Sequence, residues 1–305
     1  MPATNQTEIT LKPLIPVGIL LIAMFSLQGA ASLAKSMFEG IGASGMVALR
    51  LGLSAIMLSV VFRPWRLHLQ RGQIKPLILY SLALGGMNYL FYLALRTIPL
   101  GIGVALEFLG PLTLAIINSR RLIDILWIAI VILGLWFLLP INSNANEIDP
   151  FGAFLAVAAG GCWAIYIIFG QKAGAEHGAT TVAAGTVIAS VIFVPTGLIF
   201  AEPGLWHWGV LPLALLLALL SNVIPYSLEM VALTRLPARV FGTLMSMEPA
   251  VAALSGWLFL SEHLSLAQTS GLFAIILASV GSTLTIKPRR SKLKQVDINC
   301  TPPES

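Results

Sequence analysis

Ten stretches of the chain are nearly unbroken apolar runs, and polar or turn-forming residues gather in the short gaps between them. The runs cover 14–34, 44–62, 77–95, 99–118, 122–140, 150–170, 180–200, 209–233, 237–260 and 266–286. Each is close to the roughly 20 residues that an α-helix needs to cross the hydrocarbon core of a bilayer. The pattern predicts an all-α polytopic membrane protein with ten transmembrane helices and no separate soluble domain. Residues 1–13 are polar and Lys12 precedes the first run, the order of a secretory signal peptide. Further spans follow and no clear cleavage site is present, so the first run reads as an uncleaved span.

Composition agrees with this reading. Of 305 residues 57% are hydrophobic and 10% charged, with a mean hydropathy of +0.89, whereas a soluble domain carries about a quarter charged residues. The net charge of +5 suggests a nucleic-acid partner only until the charges are located, for they sit in the gaps between apolar runs. A cytoplasmic N-terminus places Lys12, Arg63, Arg66, Arg71, Lys75, Arg120, Arg121, Lys172, Arg235 and Arg239 inside, together with Lys287, Arg289, Arg290, Lys292 and Lys294. Only Lys35 and Arg96 then fall outside. Positive charge marks the cytoplasmic side, so both termini are expected there, as an even number of spans requires. Trp65, Trp127, Trp206 and Trp208 lie near span ends and suit interfacial belts. Residues 288–305 read as a mobile cytoplasmic tail.

The chain also repeats itself. The segment 93–116, LALRTIPLGIGVALEFLGPLTLAI, aligns without a gap on 231–254, VALTRLPARVFGTLMSMEPAVAAL, so that Pro99 and Pro111 match Pro237 and Pro249. Nearly the same offset pairs Lys35 with Lys172 and Gly42-Ala43 with Gly178-Ala179, four matches in order at shifts of 136 to 138 residues. Two homologous halves of five spans follow, about 1–145 and 146–287. Because five is odd, the halves face opposite ways in the membrane. Inverted repeats of this kind belong to secondary transporters, whose site lies at the midplane between the halves.

Ionisable groups inside the spans point to that site, since a charge at the bilayer centre costs about 2.5–3.5 kcal/mol on the translocon scale. Glu107 lies eight residues after Pro99 and Glu248 eleven after Pro237, roughly 12 and 16 Å into their spans at 1.5 Å per residue. The repeat puts the two on equivalent helix faces about one turn apart. Each precedes a proline, Pro111 or Pro249, whose missing N–H frees a carbonyl and breaks the helix. A carboxyl there can carry a proton during transport; it equally suits a protonated glutamate hydrogen-bonded to a neighbouring helix for packing alone. Asn222, Tyr226 and Glu229 share one face of the eighth span, and Asn88 repeats the polar character in the third, beside Tyr89 and Tyr92. Such a stripe fits a polar solute or interhelical hydrogen bonds, and Glu229 is near enough to an end to snorkel. Arg50 can likewise snorkel or pair with a glutamate or a substrate carboxylate. Gln28, Ser32 and Lys35 share a face of the first span. Trp163 and Tyr166 share one of the sixth, where they can floor a cavity or pack.

No phosphate-binding loop or acidic metal motif is present, and His68, His177, His207 and His263 are scattered over loops and span ends. Cys162 lies inside a run and Cys300 in the tail, so neither disulfide nor zinc site is expected. These absences argue against an ATP-driven pump or a metalloenzyme, and no cofactor is expected. A membrane enzyme acting on lipid needs paired aspartates, a metal cluster or a nucleophile with its base, and none of these is visible.

The two inverted halves and the Met-Glu-Pro at 247–249 resemble the EamA-type exporters of the drug/metabolite transporter superfamily. The likeness runs through GGMNYLFYLALRTIPLGI (85–102), VALEFLGPL (104–112), LGLWFLLP (133–140), CWAIYI (162–167), AGAEHG (173–178) and PYSLEMVALTRLPARVFGTLMSMEPA (225–250). It covers nearly the whole chain, and the superfamily motif falls on Glu248 and Pro249. The resemblance implies proton-driven efflux of small amino acids, L-threonine and L-homoserine, across the inner membrane of a Gram-negative bacterium. A different metabolite or a drug is the alternative cargo. Protons and membrane lipid are the expected partners, nucleic acid is not, and an oligomer is compatible with the sequence.

Overall fold

A computed structural model of the chain describes residues 14–68, 70–118, 122–138, 149–236, 241, 244, 245, 247–261 and 265–284. Lys12, Arg120, Arg121, Pro237, Arg239, His263, Cys300 and the tail lie outside the described residues. The principal helices are α1 (Leu14–Lys35), α2 (Ala43–Phe62), α3 (Arg71–Ala94), α4 in two pieces (Leu100–Glu107 and Leu109–Asn118) and α5 (Leu122–Leu138). They continue with α6 (Pro150–His177), α7 (Ala179–Ile199), α8, α9 (Glu248–Leu260) and α10 (Leu266–Leu284). Helix α8 has three parts: Leu211–Ala218, a π-helical turn over Leu219–Val223, and Ile224–Arg235.

Six of these, α1, α2, α3, α6, α7 and α8, are long and apolar enough to cross a membrane, while α4, α5, α9 and α10 carry shorter apolar stretches. The chain is an all-α polytopic membrane protein.

Local chemistry explains the helix ends. Helix α3 starts at Arg71, ahead of its apolar run, because Gln70 and Gln73 cap each other's backbone. Asp149 accepts hydrogen bonds from the amides of Phe151 and Gly152 at the start of α6, with Pro150 in the first turn. The Thr97 hydroxyl, then the Gly152 amide, hold its carboxyl below the usual carboxylate range. The repeat-matched glycines Gly42 and Gly178 precede α2 and α7 with φ of 77° and 50°. That positive φ strains any residue with a Cβ.

Polarity is inside out relative to a soluble protein. Large apolar side chains such as Leu122, Phe151, Phe154 and Leu266 face outward, whereas Gln28, Arg50, Asn88, Glu107, Asn222, Glu229 and Glu248 are buried. Lipid is the solvent that accepts such a surface. Trp65, Trp206 and Trp208 are exposed near helix ends, and the half-buried Trp127 packs its ring against Gly281 of α10. Helix α3 packs along α6 and α1 along α8; α4 lies on α6 and α1 on α9; α3 meets α7 and α2 meets α8. Helices α2 and α7, α4 and α9, and α5 and α10 pair directly. Exchanging each helix with the one five places on leaves this set of principal neighbours unchanged.

Candidate transport site

The buried polar side chains converge on one chamber among α1, α2, α3, α4, α6, α8 and α9. Its walls include Arg50, Asn88, Glu107, Trp163, Tyr226, Glu229 and Glu248, completed by Leu27, Gln28, Ala31, Met87, Phe91 and Tyr92. The chamber measures about 40 Å³, room for roughly two or three waters.

Arg50 is the most completely enclosed of its polar groups, at 1% exposure, so it does not snorkel. Its Nε donates to Ser221 Oγ at 2.6 Å and its Nη2 to Asn222 Oδ1 at 2.8 Å. Asn222 in turn donates to Ser54 Oγ at 3.1 Å. The guanidinium carbon stands 4.3 Å from the centre of the Tyr92 ring, a cation–π contact. These partners are all neutral, so Arg50 keeps its charge for the chamber.

The π-helical turn of α8 delivers Ser221 and Asn222 to that position. Pro225 has no N–H for the carbonyl four residues back, which belongs to Ser221, and the helix widens there. The neighbouring Leu220 carbonyl accepts Ser26 Oγ of α1 at 2.6 Å. Pro225 is the sequence signal for this turn.

The three glutamates occupy different settings. Glu248 opens α9, beside Pro249, with Oε1 accepting from Gln28 Nε2 at 3.0 Å and Oε2 without a partner. Glu229 does not snorkel either; at 3% exposure it accepts a hydrogen bond from Tyr166 at 3.2 Å. Glu107 ends the first piece of α4, where Phe108 interrupts the helix and Pro111 leaves the Glu107 carbonyl without its helical donor. Gly110 and Gly160 make this break fit against α6. A Cβ on Gly160 would stand 2.3 Å from the Glu107 carbonyl oxygen, far inside van der Waals contact.

The remaining expected residues divide. Asn88 donates to Tyr226 at 2.7 Å and to the Leu84 carbonyl at 2.9 Å, and both Asn88 and Tyr226 line the chamber. Trp163 lines it as well, with Phe108 edge-on to its ring. Tyr166 stands one layer back, stacked on Tyr80 at 5.0 Å. Asn222 acts on the chamber through Arg50. Tyr89 turns away and packs against Phe193. Tyr92 faces inward instead, and Gln28 joins it. Lys35 bonds the Ile98 carbonyl at 3.1 Å, and Lys172 lies over the Phe169 ring.

A bundle of apolar helices around a small charged chamber is the architecture of a membrane transporter. Residues 150–284 match the EamA-like transporter family. The chain is 57% identical over 285 residues to the threonine/homoserine exporter RhtA of Escherichia coli, covering 93% of this chain and 96% of that protein. It is 57% identical over 284 residues to RhtA of Salmonella typhimurium, with the same coverage. A crystal structure at 19% identity superposes with a TM-score of 0.67 over 88% of this chain and 98% of its own, a likeness of fold. The chain belongs to the EamA-like transporter family of the drug/metabolite transporter superfamily. It is a multi-pass inner-membrane transporter and not an enzyme.

Proposed function

We propose that this protein exports L-threonine and L-homoserine from the cytoplasm by proton antiport. The observation that carries the reading is a chamber holding both kinds of charge: a guanidinium secured by neutral partners, facing carboxyls of which Glu248 keeps one oxygen unpaired. A zwitterion needs this combination. The cargo is that of relatives 57% identical to this chain along nearly its whole length. Protons are the natural coupling ion for such a chamber, since a carboxyl takes one up facing one side and releases it facing the other.

The architecture of this reading has ten spans in two inverted halves, 1–145 and 146–287, with both termini cytoplasmic. The matched prolines, the contact set that survives the exchange of halves and the Lys/Arg asymmetry support it.

The test is efflux of labelled threonine and homoserine from proteoliposomes containing the purified protein, with and without an imposed pH gradient. The gradient is expected to accelerate efflux of both, and Glu248→Gln and Glu107→Gln to remove that dependence. Unchanged pH dependence in both variants would take the carboxyls out of the coupling.

A further inference from the structure

Four polar atoms of the chamber make no hydrogen bond of good geometry although their side chains are almost wholly buried. They are Arg50 Nη1, the Tyr92 hydroxyl, Gln28 Oε1 and Glu248 Oε2. All four residues line the same chamber. An unpaired polar group in a buried site costs about 1–3 kcal/mol, and in a membrane protein no water outside the bundle can relieve it. Four such atoms face one small space with room for roughly two or three waters, where the polar groups of a bound solute can pair with them.

They also sort by chemistry. Arg50 Nη1 donates only, and the Tyr92 hydroxyl stands on the ring over which that guanidinium lies, 4.3 Å from its centre. Gln28 Oε1 accepts only, and it is tied to Glu248 by the 3.0 Å bond from Gln28 Nε2. Glu248 Oε2 accepts when ionised. One pair thus offers donors beside a positive charge, and the other offers acceptors beside a carboxylate. Glu107 and Glu229 also face the space, but Glu229 is already engaged by Tyr166.

Building on the export reading above, we propose that Tyr92 and Gln28 complete the substrate site. Arg50 Nη1 and the Tyr92 hydroxyl take the α-carboxylate of the cargo, and Glu248 Oε2 and Gln28 Oε1 take its α-ammonium. The site then selects free α-amino acids with both groups intact, and the cargo side chain plays no part in these four contacts. Tyr92→Phe removes one donor and keeps the ring beneath Arg50. Gln28→Met keeps the volume and removes the acceptor, together with the Nε2 donor that holds Glu248 Oε1.

The experiment measures binding to the purified full-length protein by competition with labelled threonine. The competitors are threonine, threonine amide, which lacks the carboxylate, and 2,3-dihydroxybutanoate, which lacks the ammonium. Wild type is expected to favour threonine over both. Tyr92→Phe should weaken threonine and 2,3-dihydroxybutanoate by about tenfold, the loss of one hydrogen bond to a charged group, and leave threonine amide unchanged. Gln28→Met should weaken threonine and threonine amide by a similar factor and leave 2,3-dihydroxybutanoate unchanged. Equal loss for all three ligands, the result of a merely structural role, overturns the assignment, as does no loss for any. If wild type binds none of the three, the export reading fails and this one with it. If it binds threonine while the variants show no selective loss, this assignment alone fails.

Discussion

At the scale of single residues, the side chain that organises the chamber is Arg50. Its planar head satisfies Ser221 and Asn222 along one edge, lies on the Tyr92 ring and still presents Nη1 inward. A lysine carries the same charge but has one compact ammonium, which cannot reproduce that fork and stack. Arg50→Lys is expected to forfeit about 1.5–3 kcal/mol of charge-assisted bonding, or about ten- to hundredfold in threonine affinity. The protein should still reach the membrane in normal amount. Transport by proteoliposomes at matched protein levels checks this, and wild-type affinity in the lysine variant would show that the fork is dispensable. The sequence made the charges of this site legible because a buried arginine or glutamate stands out in an apolar run. It did not make their partners legible. Tyr89 and Tyr92 sit three residues apart, and only packing against Phe193 on one side and Arg50 on the other decides which enters the chamber.

At the scale of elements, the broken helix α4 is what holds Glu107. Pro111 announces the break, but it falls at Phe108, ahead of the proline, because the carbonyl that Pro111 cannot engage is that of Glu107. Helix α6 can come close enough to cover this stretch only through Gly160, with Gly110 opposite. Sequence alone shows the pair Gly160-Gly161 without saying which member matters. The structure separates them, since a Cβ on Gly160 meets the Glu107 carbonyl at 2.3 Å and one on Gly161 meets nothing within 4 Å. Gly160→Ala is therefore expected to lower the unfolding temperature in detergent, with an overpacking cost of about 1–3 kcal/mol, and to abolish or severely slow transport. Gly161→Ala should match wild type in both. Similar behaviour of the two variants would mean that the close approach of α4 and α6 is not required.

At the scale of the whole molecule, the repeat makes a demand that neither half makes alone. Hydrophobic runs located the helices, because burial in lipid imposes a simple length and composition on each, although α3 starts ahead of its run and α6 continues past its own to His177. How the helices pack is not written in any one run, and the exchange of halves is visible only in pairings such as α1–α8 against α3–α6. If the halves are inverted, the end of α1 lies outside the cell and the equivalent end of α6 lies inside. Ser36, just after α1, and Ala175, near the end of α6, are both exposed to the surroundings. With Cys162 and Cys300 replaced by serine, Ser36→Cys is expected to react with a membrane-impermeant maleimide in intact spheroplasts. Ala175→Cys should react only after the membrane is opened. Labelling of both positions from the same side would make the halves parallel and remove the two-fold axis in the membrane plane. The chamber would then lose the two-fold relation proposed between Glu107 and Glu248, and the proposed coupling by alternating access would need another geometry.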